Sequence, residues 1–125
     1  MKLKVSRSND IAILEILENV GPDAIPVLKA GIGNFLKTGK NKIIVNLTAA
    51  TTLPMVVIQE LVRLHLSASE LNGQIVLVGQ GELVLQALKS FSEPPSIKHY
   101  PSLEAAIRGF QGDAKPAHLS KPTDP

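Results

Sequence analysis

The residues that could carry acid–base, nucleophilic or metal chemistry are few and scattered in this 125-residue chain. His65, His99 and His118 fall on three different segments, so no pair has the spacing of a metal site on one element. No serine has the Gly-x-Ser-x-Gly setting of a nucleophile elbow, and cysteine is absent. We therefore predict no enzyme activity, no cofactor and no metal site, and we expect His65 to be a core histidine with one hydrogen-bonded nitrogen.

Two short clusters remain that could contact a ligand. Thr48, Thr51 and Thr52 precede a predicted helix, where their hydroxyls can cap the helix and stabilise the turn. Gly79 and Gly81 lie between a predicted strand and a helix, where backbone N–H groups can bind an anion. Valine occupies position 84, where a dinucleotide fingerprint would have its third glycine. Small-ligand or nucleotide binding through residues 79–82 is therefore the alternative function.

The threonine cluster is positioned by the stretch from Lys42 to Leu71. Residues 43–47 read as a buried strand, and Pro54 suits the first turn of the helix that follows. At the α-helical period the polar residues form one arc, with Val56 inside it: Gln59, Glu60, Arg63, Ser67 and Glu70. The apolar arc, which includes Met55, Leu64 and Leu66, is wider than one packed face requires. Either two neighbouring elements cover it or a partner does.

The remaining segments complete an α/β pattern. Leu3 and Val5 alternate with polar residues as in an edge strand, which should form a hairpin with residues 11–17. Asp23 is the predicted N-cap of the first helix, in which Gly31 and Gly33 could allow a close approach to the sheet. Ser102 is the predicted N-cap of the last helix. The predicted order is ββαβαβαβα, a single domain with a mixed, mostly parallel β-sheet and four helices.

Composition limits the partners and the location. The chain has 13 basic and 11 acidic side chains without a clustered basic face, which argues against nucleic acid as a main partner. It has no apolar run long enough for membrane insertion and no signal-peptide pattern at its start, so we expect a cytoplasmic protein. Residues 112–125 are rich in proline and polar residues, and we predict a disordered tail after a domain of residues 1–111.

The strand ending in Asn46-Leu47-Thr48, the short turn, the amphipathic helix and the closing segment from Tyr100 to Ile107 resemble the STAS domain of bacterial anti-sigma factor antagonists. The resemblance implies the STAS fold and a protein partner, either an anti-sigma factor with a kinase-like domain or a subunit of a complex. It also implies a serine, at the start of this helix, whose phosphorylation switches binding off.

In this chain the family's Asp-Ser-Ser-Gly falls on Pro54-Met55-Val56-Val57, so Val56 stands where the phosphorylated hydroxyl would be. A shift of the loop by a few residues would make Thr51 or Thr52 the acceptor instead.

These observations predict a bacterial regulatory protein–protein interaction module that lacks the serine switch. The predicted partner-binding residues combine the threonine cluster with the exposed arc of the helix: Thr48, Thr51, Thr52, Met55, Val56, Gln59 and Arg63. An accessory STAS subunit of a lipid-transport or signalling complex remains an alternative, and a homodimer is a further option.

Overall fold

The computed structural model describes residues 3–18, 21–50, 54–79, 81–89 and 97–111. The elements follow the predicted order, and their bounds differ from the predicted ones by a residue or so at several ends. They are β1 (Leu3–Ser8), β2 (Ile11–Ile16), α1 (Ala24–Lys37), β3 (Lys42–Asn46), α2 (Met55–Glu70), β4 (Gln74–Val78), α3 (Gly81–Lys89), β5 (Lys98–Tyr100) and α4 (Leu103–Gln111).

The five strands form one sheet in the order β1-β2-β3-β4-β5. β1 runs antiparallel to β2, and each later strand is parallel to its neighbour. The hairpin turn needs only Asn9 and Asp10, because Asn9 adopts the left-handed conformation (φ 57°) that asparagine tolerates. The predicted mixed, mostly parallel sheet is confirmed.

The sheet is covered on both faces, which explains why β3 and β4 are apolar without alternation. One core lies between the sheet and α1, α2 and α3, and it includes Leu28, Val45 and Leu61. The other lies under α4 and includes Ile44, Val76 and Tyr100. α2 therefore has the sheet beneath it and contacts α1 and α3, which leaves its outer face to water.

Helix ends are fixed by backbone geometry that the sequence partly signals. At the end of α2, Asn72 is left-handed (φ 61°), and the N–H of Gly73 donates to the carbonyl of Ala68 at 2.7 Å. This is a Schellman motif, which turns the chain directly into β4. At α4 the predicted cap is confirmed, since the Ala105 N–H donates to Ser102 Oγ at 3.1 Å.

Two local predictions about α1 are wrong. Asp23 precedes the helix in a helical conformation and makes no capping bond with its side chain. A Cβ added at Gly33 would meet nothing within 4 Å, and one at Gly31 would make only ordinary contact with Leu14 at 3.9 Å. Neither glycine is therefore required for a close approach to the sheet.

Candidate functional site

The site begins where β3 ends, and Asn46 fixes its geometry. Asn46 is buried, and its Oδ1 accepts hydrogen bonds from the Thr48 N–H at 3.0 Å and the Thr48 hydroxyl at 2.6 Å. The Leu47 N–H donates to the carbonyl of Val78 at 2.8 Å, which extends the pairing of β3 and β4 into the turn. An asparagine that bonds to the backbone two residues later stabilises a tight turn. Thr48 is thereby held at the surface, directly after β3.

The turn after β4 packs directly on this turn. Gly79 has φ of 90°, and a Cβ there would lie 2.7 Å from Thr48 Oγ1 and 2.8 Å from the Thr48 Cα and backbone N. Only glycine combines that conformation with so close an approach. The structure thus brings together the two clusters that the sequence singled out, around Thr48 and around Gly79.

β5 uses the hydrogen-bonding groups of Gly79. The Gly79 N–H donates to the carbonyl of Tyr100 at 3.3 Å, and the Gly79 carbonyl lies 3.0 Å from His99 Nε2. A Cβ at Gly81 would lie 3.4 Å from the His99 ring. Because the Gly79 N–H already has an acceptor, the anion-binding prediction for Gly79 and Gly81 depends on the N–H groups from Gly81 onward. Glu82, exposed in the first turn of α3, opposes an anion there.

The first two turns of α2 present the predicted contact residues on one exposed face. Val56 is 41% exposed, Gln59 and Arg63 are exposed on the same side of the helix, and Met55 is half-buried at its border. Val56 belongs to neither of the two buried cores. Thr51 and Thr52, the other predicted contact and phosphorylation residues, lie outside the described residues.

Glu60 differs from the sequence prediction, which placed it on the polar arc. It is only 7% exposed, and within the described ranges its Oε2 has no hydrogen-bond partner. Its ion-pair contact is with Arg63, whose Nη1 lies 3.8 Å from Glu60 Oε1. A helical wheel could not reveal this burial, because a neighbouring element covers the flank of α2 on which Glu60 lies.

His65 and His99 are both buried and hydrogen-bonded to the backbone. His65 is buried, and its Nδ1 accepts a hydrogen bond from the Ile75 N–H at 3.2 Å, as predicted for a core histidine. Burial, and secondarily the charge of Lys98, hold the pKa of His65 below its usual value. Among the described residues, no three His, Asp or Glu side chains form a group that could hold a metal ion. Likewise, no helix in the described ranges is long and apolar enough to cross a membrane.

Comparison with known proteins identifies the fold. No family model and no curated protein sequence matches this chain. Solved structures do match. The Thermotoga maritima protein TM1081, assigned as an anti-sigma factor antagonist, aligns with a TM-score of 0.71 and 20% identity over 87% of this chain and 94% of its own. A variant of Moorella thermoacetica RsbS aligns with a TM-score of 0.74 and 12% identity over 90% and 97% of the two chains.

The anti-sigma factor antagonist SpoIIAA, in its unphosphorylated form, aligns with a TM-score of 0.72 and 11% identity over 89% of this chain and 99% of its own. Similarity at such low identity defines an architecture. The chain is therefore a STAS-fold domain, with the five-stranded mixed sheet and four helices of these antagonists.

Proposed function

We propose that this domain is a bacterial regulatory module that binds a protein partner through the exposed face at the start of α2. We call this face the α2 surface and define it by Thr48, Met55, Val56, Gln59 and Arg63. Val56 is the observation that carries the proposal. It is an apolar side chain exposed at the position that the resemblance aligns with the phosphorylated serine, and the preceding turn is held by Asn46 and Gly79.

The chemistry of the α2 surface supports binding rather than catalysis. It offers two apolar side chains, the Thr48 hydroxyl, one amide and one guanidinium that is largely exposed, but no nucleophile paired with a base in the described residues. An apolar centre with a polar rim and an arginine is a common composition for a protein interface. The similarity to anti-sigma factor antagonists suggests an anti-sigma factor, with a kinase-like domain, as the partner, and a cytoplasmic role in regulating transcription.

The proposed mode of action does not use a serine switch. Positions 54–57, which the resemblance aligns with the phosphorylated motif, are proline, methionine and two valines. Val56 cannot accept a phosphoryl group, so occupancy of the α2 surface would depend on the amounts of the two proteins, or on modification of Thr51 or Thr52.

A photo-crosslinking amino acid at Gln59 tests where the partner binds. Gln59 is exposed at the centre of the α2 surface, so the substituted protein should fold and form a covalent adduct in the native cells. Glu104 is the matched control position, because it is exposed on α4 across the sheet. We expect an adduct from position 59, lost on adding Val56→Asp, and no equivalent adduct from position 104. An adduct from position 104 alone would contradict the proposal.

A further inference from the structure

Among the described residues, no strand pairs with the outer edge of β1. Within the sheet, β1 pairs with β2 alone, in a register that runs from Leu3–Ile16 to Ser8–Ile11. A two-residue hairpin turn closes on a hydrogen-bonded pair, here Ser8–Ile11, and hydrogen-bonded and non-hydrogen-bonded pairs then alternate. Leu3, Val5 and Arg7 therefore direct their N–H and C=O groups away from β2. These groups face the open edge.

An apolar groove of about 530 Å³ runs beside that edge, between β1 and α1. Leu3 and Val5 line it from the strand, and Val27 and Ala30 line it from the helix. Val5 is 54% exposed, and Val27 is also exposed. An unpaired strand next to an uncovered apolar groove has both components of a strand-addition site, since the backbone supplies hydrogen bonds and the groove supplies apolar contacts.

We propose that a second copy of this chain adds its β1 antiparallel to β1, which joins two five-stranded sheets into one continuous sheet and covers both grooves. Such an interface is isologous, because both copies contribute the same strand and the same helix. It lies at the β1 edge, whereas the α2 surface lies over β3 and β4. A dimer could therefore still bind its regulatory partner.

Side-chain alternation limits the registers of this dimer. If both copies keep α1 on the same side of the sheet, each residue can oppose only residues that point to its own face. Centring the pair on Lys4 or on Arg7 would place like charges directly opposite each other, which is destabilising. Centring it on Ser6 would place Leu3 opposite Asn9 of the hairpin turn, so the open-edge groups of Leu3 would have no strand partner.

Centring the pair on Val5 satisfies the strand best. Val5 then opposes Val5 of the second copy, Lys4 opposes Ser6, and Leu3 opposes Arg7, whose aliphatic stem can pack on it. In this register Leu3, Val5 and Arg7 all lie in hydrogen-bonded pairs, so the open-edge groups are satisfied together. β1 carries only basic charges, and this self-pairing places none of them opposite another. In this register one pairing satisfies the open-edge groups of both copies at once.

Charge reversal at the two-fold axis provides the test. Val5→Lys and Val5→Glu should each fold, because Val5 is exposed, yet each should weaken self-association at least about tenfold by pairing like charges. An equal mixture of the two variants should restore the dimer as a heterodimer. Leu66→Lys is the matched control, since Leu66 has the same 54% exposure but lies on α2. Sedimentation equilibrium at about 100 µM chain, with circular dichroism for folding, measures these four samples and the wild type.

The expected pattern is a dimer for the wild type, Leu66→Lys and the mixture, with each Val5 variant monomeric or much weaker. A wild-type monomer at that concentration would overturn the proposal. So would a Val5→Lys variant that dimerises as tightly as the wild type, or a mixture that stays monomeric. None of these outcomes bears on the α2 surface, which the Val5 substitutions leave intact.

Discussion

Replacing Glu60 by methionine should stabilise the domain. The Glu60 side chain is 9% exposed, and its Oε2 has no hydrogen-bond partner. Its ion-pair partner, Arg63, is 3.8 Å away with a side chain that is 74% exposed, so the solvent screens this pair and its contribution stays below about 1 kcal/mol. The cost of burying a half-paired carboxylate is therefore not recovered. Methionine, of similar length, removes that cost and adds apolar burial.

We expect Glu60→Met to raise the free energy of unfolding by about 1–3 kcal/mol, within the range of up to about 4 kcal/mol gained when buried ion pairs are replaced by apolar residues of similar volume. For a domain of this size each kcal/mol corresponds to roughly 3–6 °C in Tm. Urea denaturation of Glu60→Met, Arg63→Met and the double variant measures both effects. Arg63→Met should cost less than about 1 kcal/mol, and the coupling between the two sites should be equally small.

A Glu60→Met variant that loses more than about 1 kcal/mol would refute this reasoning. It would mean that the carboxylate is stabilised by a donor near α2, and that its burial contributes to the fold. A large coupling to Arg63 would refute it in a different way, because the ion pair would then contribute far more than its exposed geometry allows.

Three further predictions concern Gly79, His65 and residues 114–125. Gly79→Ala should lower the free energy of unfolding by at least about 2 kcal/mol in urea denaturation, because its Cβ would collide with the Thr48 backbone. Gly33→Ala, in open space on α1, is the control and should raise that free energy by up to about 1 kcal/mol. Equal effects of the two substitutions would contradict the contact between Gly79 and Thr48. Because the pKa of His65 is lowered on folding, the unfolded chain binds the proton first, so stability should be full above the usual value of 6.5 and fall as pH drops below it. His65→Gln should flatten that dependence, and an unchanged profile would assign it to other groups. Deleting Ala114 to Pro125 should change the unfolding free energy by less than about 1 kcal/mol, and a larger loss would show that the tail packs on the domain.

The fold could be predicted because its signals are local. Apolar runs such as residues 74–78, the asparagine and glycine at the end of α2, and Ser102 before α4 each specify structure within a few residues. Their order along the chain then leaves few topologies for a mixed sheet whose parallel strands are joined by right-handed crossovers. The resemblance to STAS domains predicted the particular fold, and the similarity to solved structures confirms it.

What could not be predicted depends on contacts between distant segments. The need for glycine at position 79 arises from Thr48, and that at position 109 from the ring of Tyr100, which a Cβ would overlap. For close packing the sequence instead pointed to Gly31 and Gly33, where an added Cβ would meet no close contact. Glu60 and Leu66 illustrate the same limit. Glu60 is buried although it lies on the predicted polar arc, and Leu66 is exposed although it lies on the predicted apolar arc. Hydrophobic periodicity locates the centre of a helix face but not the edges that its neighbours cover.

The dissociation constant of the Val56→Asp variant for the crosslinked partner tests the central claim most directly. Val56 is exposed in the first turn of α2, where the helix dipole stabilises a carboxylate, so this variant should fold. Its affinity should fall by about 1–3 kcal/mol, roughly 5- to 150-fold, because an unpaired charge replaces an apolar contact that excludes water. Leu71→Asp, at an exposed apolar position beyond the other end of α2, should bind like the wild type. A folded Val56→Asp domain that binds its partner as tightly as the wild type would contradict the assignment of the α2 surface.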